Sequence, residues 1–228
     1  MRLGLIADVH SNAVALGAVL GALNGSVDKI ICAGDITGYY SRPNEVFHML
    51  ESVETAWIAG NHEAYLSLSS LESLSPLVRN SVEYMLDVIE PPVLAQLVGA
   101  PTETSLEFEN LRIAVYHGSP WDSEGEYVYP DFPEWQKFGH VAADLVILGH
   151  THIPFVRKVE NTLVVNPGSC GQPRDGDPRA AYAVFDTATR EVQLKRIEYD
   201  LEKVCREIRD LNFDPVLQRV LRTGSTRG

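Results

Sequence analysis

The chain reads as an α/β protein, and two changes of pattern along it say so. Over about the first sixty residues short apolar runs alternate with helical stretches, the mark of parallel strands joined by crossover helices. Beyond about residue 100 the period shifts to paired strands with tight turns. A parallel half followed by a hairpin-rich half predicts two sheets packed together with helices outside.

The elements follow in order. Strand 3–7, helix 12–23, strand 28–33, helix 43–53 and strand 55–59 make the alternating series, and Pro43 after Ser41-Arg42 fits a first-turn proline. Residues 64–98 carry a helical period, with Leu74, Leu77, Val78, Val82, Met85 and Leu86 on one stripe that stops at Pro91-Pro92. A strand is expected where LVIL precedes Gly149. Hairpins are expected for 104–109 with 111–116, 154–159 with 162–166 and 180–186 with 191–198; the first two turn at Glu109-Asn110 and Glu160-Asn161. Leu201, Val204, Cys205, Ile208 and Leu211 mark a terminal helix, and Asp214-Pro215 opens a short second one. One domain is expected over 1–228: a core to residue 198, helices over 199–222 and a frayed tail over 223–228.

At 228 residues and 45% hydrophobic, the chain can bury one substantial core. Its formal net charge of -12 argues against a surface that tracks nucleic-acid phosphates. Cys32, Cys170 and Cys205 are widely spaced, with no C-x-x-C, which fits a reducing compartment rather than a disulfide framework. The apolar stretch Ala13 to Leu23 is too short to span a bilayer, and Asp8 and His10 interrupt any signal-peptide core. A cytoplasmic protein is therefore expected. A homo-oligomer stays open.

Five polar motifs each follow an apolar run: Asp8-Val9-His10, Gly34-Asp35, Gly60-Asn61-His62-Glu63, His117-Gly118 and Gly149-His150-Thr151-His152. Strand carboxyl ends share one rim of an α/β sheet, so these motifs should meet in one crevice. Taken singly they are ordinary, since a strand-end histidine is usually a hydrogen-bonded core residue and Gly-Asp or Gly-Asn a turn. Together they hold five of the seven histidines, leaving only His48 and His140 as structural or solvent-facing. Asp8, His10, Asp35, Asn61, His117, His150 and His152 are all O or N donors. That chemistry suits Mn, Fe, Ni or Zn, and seven ligands exceed what one tetrahedral site uses. Two divalent metals are expected, with manganese the first choice and Asp35 or Asp8 able to bridge. Two such cations against two carboxylates would leave the rim locally positive, able to draw a phosphate despite the acidic exterior.

The order and spelling of these motifs resemble the calcineurin-like metallophosphoesterase superfamily, and its compact prokaryotic phosphodiesterase branch in particular, over about residues 1 to 187. Asn166-Pro167-Gly168-Ser169 and Gly171-Gln172-Pro173-Arg174 are similar to a loop of that branch. The resemblance implies a four-layer α/β/β/α sandwich of two mixed sheets with flanking helices, the metallophosphoesterase fold. It implies that Asp8, His10, Asp35 and His152 hold one metal and Asp35, Asn61, His117 and His150 the other, with Asp35 bridging. His62 would then face the phosphate and leaving group rather than a metal.

The expected reaction is hydrolysis of a phosphate ester by direct attack of metal-bridging hydroxide, with His62 assisting the leaving oxygen. The chain has no Walker motif, and Ser11 and Ser119 lack a triad. The stretches that carry phosphate-clamping arginines in protein phosphatases read Gly34-Asp35-Ile36-Thr37-Gly38-Tyr39 and Ile58-Ala59-Gly60 here, without arginine, and the acid that would orient His62 is missing. A phosphodiester or small nucleotide is the favoured substrate; a dinucleoside polyphosphate or phosphomonoester, and a scaffold protein on the same fold, are the alternatives. Arg174 can reach substrate phosphate or pair with Asp175 or Asp177. The aromatics Trp121, Tyr127, Tyr129, Phe132 and Trp135 in loop 119–135 can stack on a substrate ring, close the site, or build a satellite core.

Overall fold

A computed structural model describes residues 1–226. Period-two burial organises it. In β1 (Arg2–Ile6), Leu3 and Leu5 face one side, while Gly4 and Ile6 face the other. β1 pairs in parallel with β2 (Lys29–Cys32), and β2 with β3 (Ala56–Trp57). β9 (Ala180–Asp186) and β10 (Glu191–Ile197) complete this sheet in the order β10-β9-β1-β2-β3. The second sheet runs β4-β5-β6-β8-β7, from β4 (Glu103–Phe108), β5 (Leu111–Tyr116), β6 (Leu145–Ile147), β7 (Phe155–Val159) and β8 (Thr162–Asn166).

Both sheets are mixed, as expected, and each has five strands, but the third hairpin does not join the other two. It returns antiparallel to β1, with Leu3 opposite Phe185 and Leu5 opposite Ala183. Leu3, Leu5, Ile31 and Ile58 pack against Ile113, Val115, Leu145, Ile147 and Val165 between the sheets. Each such buried side chain contributes about 1.5–3 kcal/mol.

Behind the first sheet lie α1 (Ala13–Leu23), α2 (Pro43–Ser52), α4 (Pro76–Val88) and α5 (Pro91–Val98), their apolar residues in one cluster with Ile6, Ile30 and Cys32. Asn12 caps α1 by accepting from the Ala15 amide at 3.1 Å. The periodic stretch 64–98 is not one helix. α3 (Asn61–Tyr65) ends early, residues 66–75 are turns, and Leu86 is exposed. The serines at 67, 69, 70 and 73 favour local hydrogen bonds over helix, and Ser75-Pro76 starts a new one.

The outer face of the second sheet is covered by a 3-10 helix (Trp135–His140) and the preceding loop. Phe132, Trp135 and Phe138 pack there on Ala114, Val146 and Val164. α6 (Leu201–Asp210) and α7 (Val216–Thr223) close over Tyr39 and Tyr40. The expected tail begins late: Thr223 is helical, Gly224 caps α7, and residues 227–228 lie outside the described part. Among the described residues no helix is long and apolar enough to cross a membrane, and all three cysteines are free and buried.

Candidate metal centre

Every one of the five motifs leaves the carboxyl end of a strand, and backbone hydrogen bonds draw these ends together. Asp8 N donates to Gly34 O at 3.0 Å, His10 N to Asp35 O at 3.0 Å, and Gly149 N to His117 O at 2.9 Å. The loop after β8 joins them, with Gly171 N donating to Asp8 O at 3.0 Å. Asp8, His10, Asp35, His150 and His152 all hold φ between +51° and +67°, a left-handed conformation costly for non-glycine residues. Such strain persists because the surrounding hydrogen bonds fix it. The side chains of these five, and those of His62 and His117, are all buried.

The imidazoles are fixed from behind. His10 Nδ1 faces Thr37 O at 3.0 Å, His117 Nδ1 faces Ala33 O at 2.7 Å and His152 Nδ1 faces Gln172 O at 2.5 Å. A carbonyl can only accept, so each Nδ1 carries a proton, and the neutral rings of His10 and His152 turn their Nε2 lone pairs inward. His10 Nε2 and His152 Nε2 meet at 3.1 Å, and His117 Nε2 lies 3.2 Å from His150 Nδ1 and 3.1 Å from Asn61 Oδ1. Asp35 Oδ2 sits 3.2 Å from His117 Nε2 and 3.8 Å from His10 Nε2. Asp8 Oδ2 and His150 Nε2 are buried with no hydrogen-bond partner. Lone pairs crowded together in a dry site, with orphaned acceptors beside them, fit a divalent cation.

Two clusters, Asp8-His10-His152 and Asp35-His117-His150, each place three donors within 4.8 Å of one another. Each cluster brings together three of the expected donors, and Asn61 Oδ1 lies 3.1 Å from His117 Nε2 beside the second. A third cluster joins His10, Asp35 and His62. His62 thus lies closer to the donor set than expected of a residue reserved for the leaving group. Its amide donates to Asp35 Oδ1 at 2.9 Å, its ring packs on His10 and Tyr39, and its Nδ1 has no partner. Among the described residues no carboxylate is hydrogen-bonded to its Nδ1. Glycine at 38 is required here: with φ +103°, an added Cβ would lie 2.3 Å from His62 Nδ1.

Electrostatics favour cation uptake. Burial, then the charge of neighbouring groups, pulls His10 and His152 well below the usual imidazole range and takes His62 and His150 to about 4. These four are neutral at physiological pH. Burial pushes Asp8 up to about 7, with Asp35 adding to the rise. Burial is the largest single influence and would raise Asp35, but the charge and hydrogen bond of His117, together with the neighbouring His62 and His10, outweigh it and hold Asp35 well below the carboxylate range. His117 goes the other way: burial would lower it, yet the charge and hydrogen bond of Asp35 lift it to about 10. A protonated His117 between two carboxylates occupies the place a cation would take.

The remaining residues sort themselves. Arg174 pairs with neither Asp175 nor Asp177, which bind Arg196 and Arg179. Its guanidinium instead donates to Gln172 Oε1 at 2.7 Å and to the Tyr39 hydroxyl at 3.4 Å, beside the histidines. His48 and His140 are exposed, away from the centre. The aromatic loop divides: Phe132 and Trp135 serve the satellite core, while Tyr127 lies on His150 with ring centroids 3.8 Å apart.

Glu63 was visible in the third motif but had no role assigned. Its buried carboxylate accepts from the amides of Asp35 (3.0 Å), Thr37 (2.8 Å) and Gly60 (2.8 Å) and from the Thr37 hydroxyl (2.7 Å). It therefore ties the second motif to the third. Tyr39 and Gln172 lie in stretches that the motifs mark, yet the parts they play depend on which atoms the folded loops present.

Fold and site together define a metal-dependent phosphoester hydrolase. The chain matches the calcineurin-like phosphoesterase superfamily domain over residues 1–190 and belongs to that family. It is 32% identical to an uncharacterized protein of Methanocaldococcus jannaschii, across 90% of this chain and 91% of that one. It is 29% identical to a probable metallophosphoesterase of Methanothermobacter thermautotrophicus, across 75% and 88%. A crystal structure of a metallophosphoesterase from Sphaerobacter thermophilus superposes with a TM-score of 0.84 at 31% identity, covering 98% of this chain and 99% of that one.

Proposed function

We propose that this protein is a dinuclear phosphodiesterase in which Asp8, His10, Asp35 and His152 hold one divalent ion and Asp35, Asn61, His117 and His150 the other. The observation that carries the reading is the position of Asp35 Oδ2, within 3.8 Å of donors from both clusters. Bound divalent ions supply Lewis acidity toward phosphoryl oxygens and lower the pKa of water toward neutrality. Manganese is the first choice for a site of oxygen and imidazole donors.

The chain's own residues do the rest. Arg174, with no carboxylate partner within ion-pairing distance among the described residues, offers one positive charge to a non-bridging oxygen. One arginine suits the single charge of a diester better than the double charge of a monoester. His62, neutral in its buried place, donates a hydrogen bond from its ring N–H to the leaving oxygen. Tyr39 steadies both, since its ring touches His62 and its hydroxyl meets Arg174. The free, buried thiols support a reducing, cytoplasmic setting, and a single domain over residues 1–228 accommodates all of these parts.

The test is calorimetric titration of the metal-free protein with Mn, beside turnover of bis(p-nitrophenyl) phosphate and p-nitrophenyl phosphate. Two sites per chain and a higher kcat/KM for the diester are expected. One site at full activity overturns the dinuclear reading, and a preference for the monoester overturns the diester.

A further inference from the structure

A cleft of about 770 Å³ opens beside the metal centre, of a size that suits a small-molecule ligand. Tyr129, Pro130, Asp131, Arg174 and Asp175 line it. Thr151 and Ile153, which flank His152, also line it, so one end of the cleft is the backbone of the metal centre itself. Arg174 lies at that end, with its amide donating to His152 O at 3.4 Å.

The lining is chemically divided. Tyr129 is 40% exposed and lies parallel to Tyr127, at an interplanar angle of 8° and 5.8 Å between centroids. Tyr127 in turn covers His150, so two rings lead outward from a candidate ligand to the cleft. The 5.8 Å gap is too small to admit a third ring between them, which leaves the outer face of Tyr129 as the stacking surface. Among the described lining residues the charged groups away from Arg174 are the carboxylates Asp131 and Asp175, the latter paired with Arg196. A second phosphate would meet acid there. Hydroxyl and amino groups would meet acceptors, and a flat ring would meet Tyr129.

We infer that this cleft is a nucleoside subsite, holding the base on Tyr129 and the sugar or base donors against Asp131, while the scissile phosphate lies at Arg174 and the metal centre. The inference rests on the diesterase reading and narrows it to diesters in which one alcohol is a nucleoside. It disfavours polyphosphate chains, whose additional charge would run along Asp131.

Two Mn-loaded assays with one leaving group test it: the p-nitrophenyl ester of thymidine 5′-phosphate against bis(p-nitrophenyl) phosphate. The wild type should favour the nucleoside ester in kcat/KM by about tenfold or more, the size of one base–aromatic stack. Tyr129→Ala should reduce that ratio toward one, and Asp131→Ala, which leaves the tyrosine pair in place, should reduce it severalfold. A wild-type ratio near one, or a ratio unmoved by both substitutions, overturns the inference. A protein that hydrolyses p-nitrophenyl phosphate but neither diester would refute the diesterase reading instead. The cleft is then decided by titrating adenosine 5′-monophosphate and ribose 5-phosphate into the metal-free protein. Tighter binding of the former, lost in Tyr129→Ala, supports the subsite; equal binding overturns it.

Discussion

Asp35 shows how much one carboxylate can be asked to do. Oδ1 accepts the His62 amide, Oδ2 faces His117 and His10, and its own amide is held by Glu63. Asp35→Asn keeps the shape and removes the charge, so it should lose more activity than any other single ligand substitution and weaken both metals. His48→Ala and His140→Ala should leave turnover within about twofold, as expected of exposed side chains far from the centre. Either control matching Asp35→Asn in a folded protein would refute the assignment. His62→Asn separates two roles that the geometry brings close: a leaving-group donor predicts both metals retained and a rate loss of about 10²- to 10⁴-fold on an alkyl ester, shrinking on an aryl ester. Metal loss, measured by elemental analysis, would make His62 a ligand, as its place beside Asp35 and His10 allows. The seven candidate donors can be named from the sequence because each sits in a short motif behind an apolar run. The parts of Tyr39 and Gln172, and which loop aromatic reaches His150, could not be read there, since each comes from a hydroxyl, a carbonyl or a ring face set by tertiary packing.

Elements were legible in proportion to how local their causes are. Strands with period-two burial and helices with caps, such as α1 behind Asn12, fell within a residue or two of expectation. The stretch 64–98 misled because its apolar period continues through a serine-rich turn, where competition for backbone hydrogen bonds overrides the period. The destination of the third hairpin was not legible at all: β9 joins β1 through contacts some 180 residues apart in sequence, a pairing no local pattern encodes. The cap of α1 is an element-scale test. Asn12 accepts from Ala15 and donates through Nδ2 to Gly171 O at 2.9 Å, so it ties α1 to the loop after β8. Asn12→Ala should cost about 2–3 kcal/mol, from a lost cap and a stranded buried carbonyl. Urea denaturation of the metal-free protein measures it; a loss below about 0.5 kcal/mol would mean that the loop and helix are held together by other contacts.

At the scale of the molecule, two five-stranded sheets bring their strand carboxyl ends to one rim, and the rim in turn stores an electrostatic conflict. Asp8 and Asp35 lie in a dry place inside a protein of net charge -12, and in the metal-free state the proton on His117 relieves them. Metal uptake must displace that proton, because only neutral imidazole ligates. The sign is fixed by the shifts. His117 is lifted to about 10, so it is protonated at pH 8 and about one proton should leave on binding. Asp8, raised to about 7, is already ionised at pH 8 but largely protonated at pH 6, where release should approach about two. Apparent metal affinity should therefore rise with pH across this range, more steeply at its acid end, and level off only above about 10 as His117 loses its proton unaided. Calorimetry of Mn binding in two buffers of different ionisation enthalpy, at pH 6 and pH 8, counts the protons directly. No release at pH 8 would mean that His117 is already neutral and that the metal-free rim tolerates its two carboxylates in some other way.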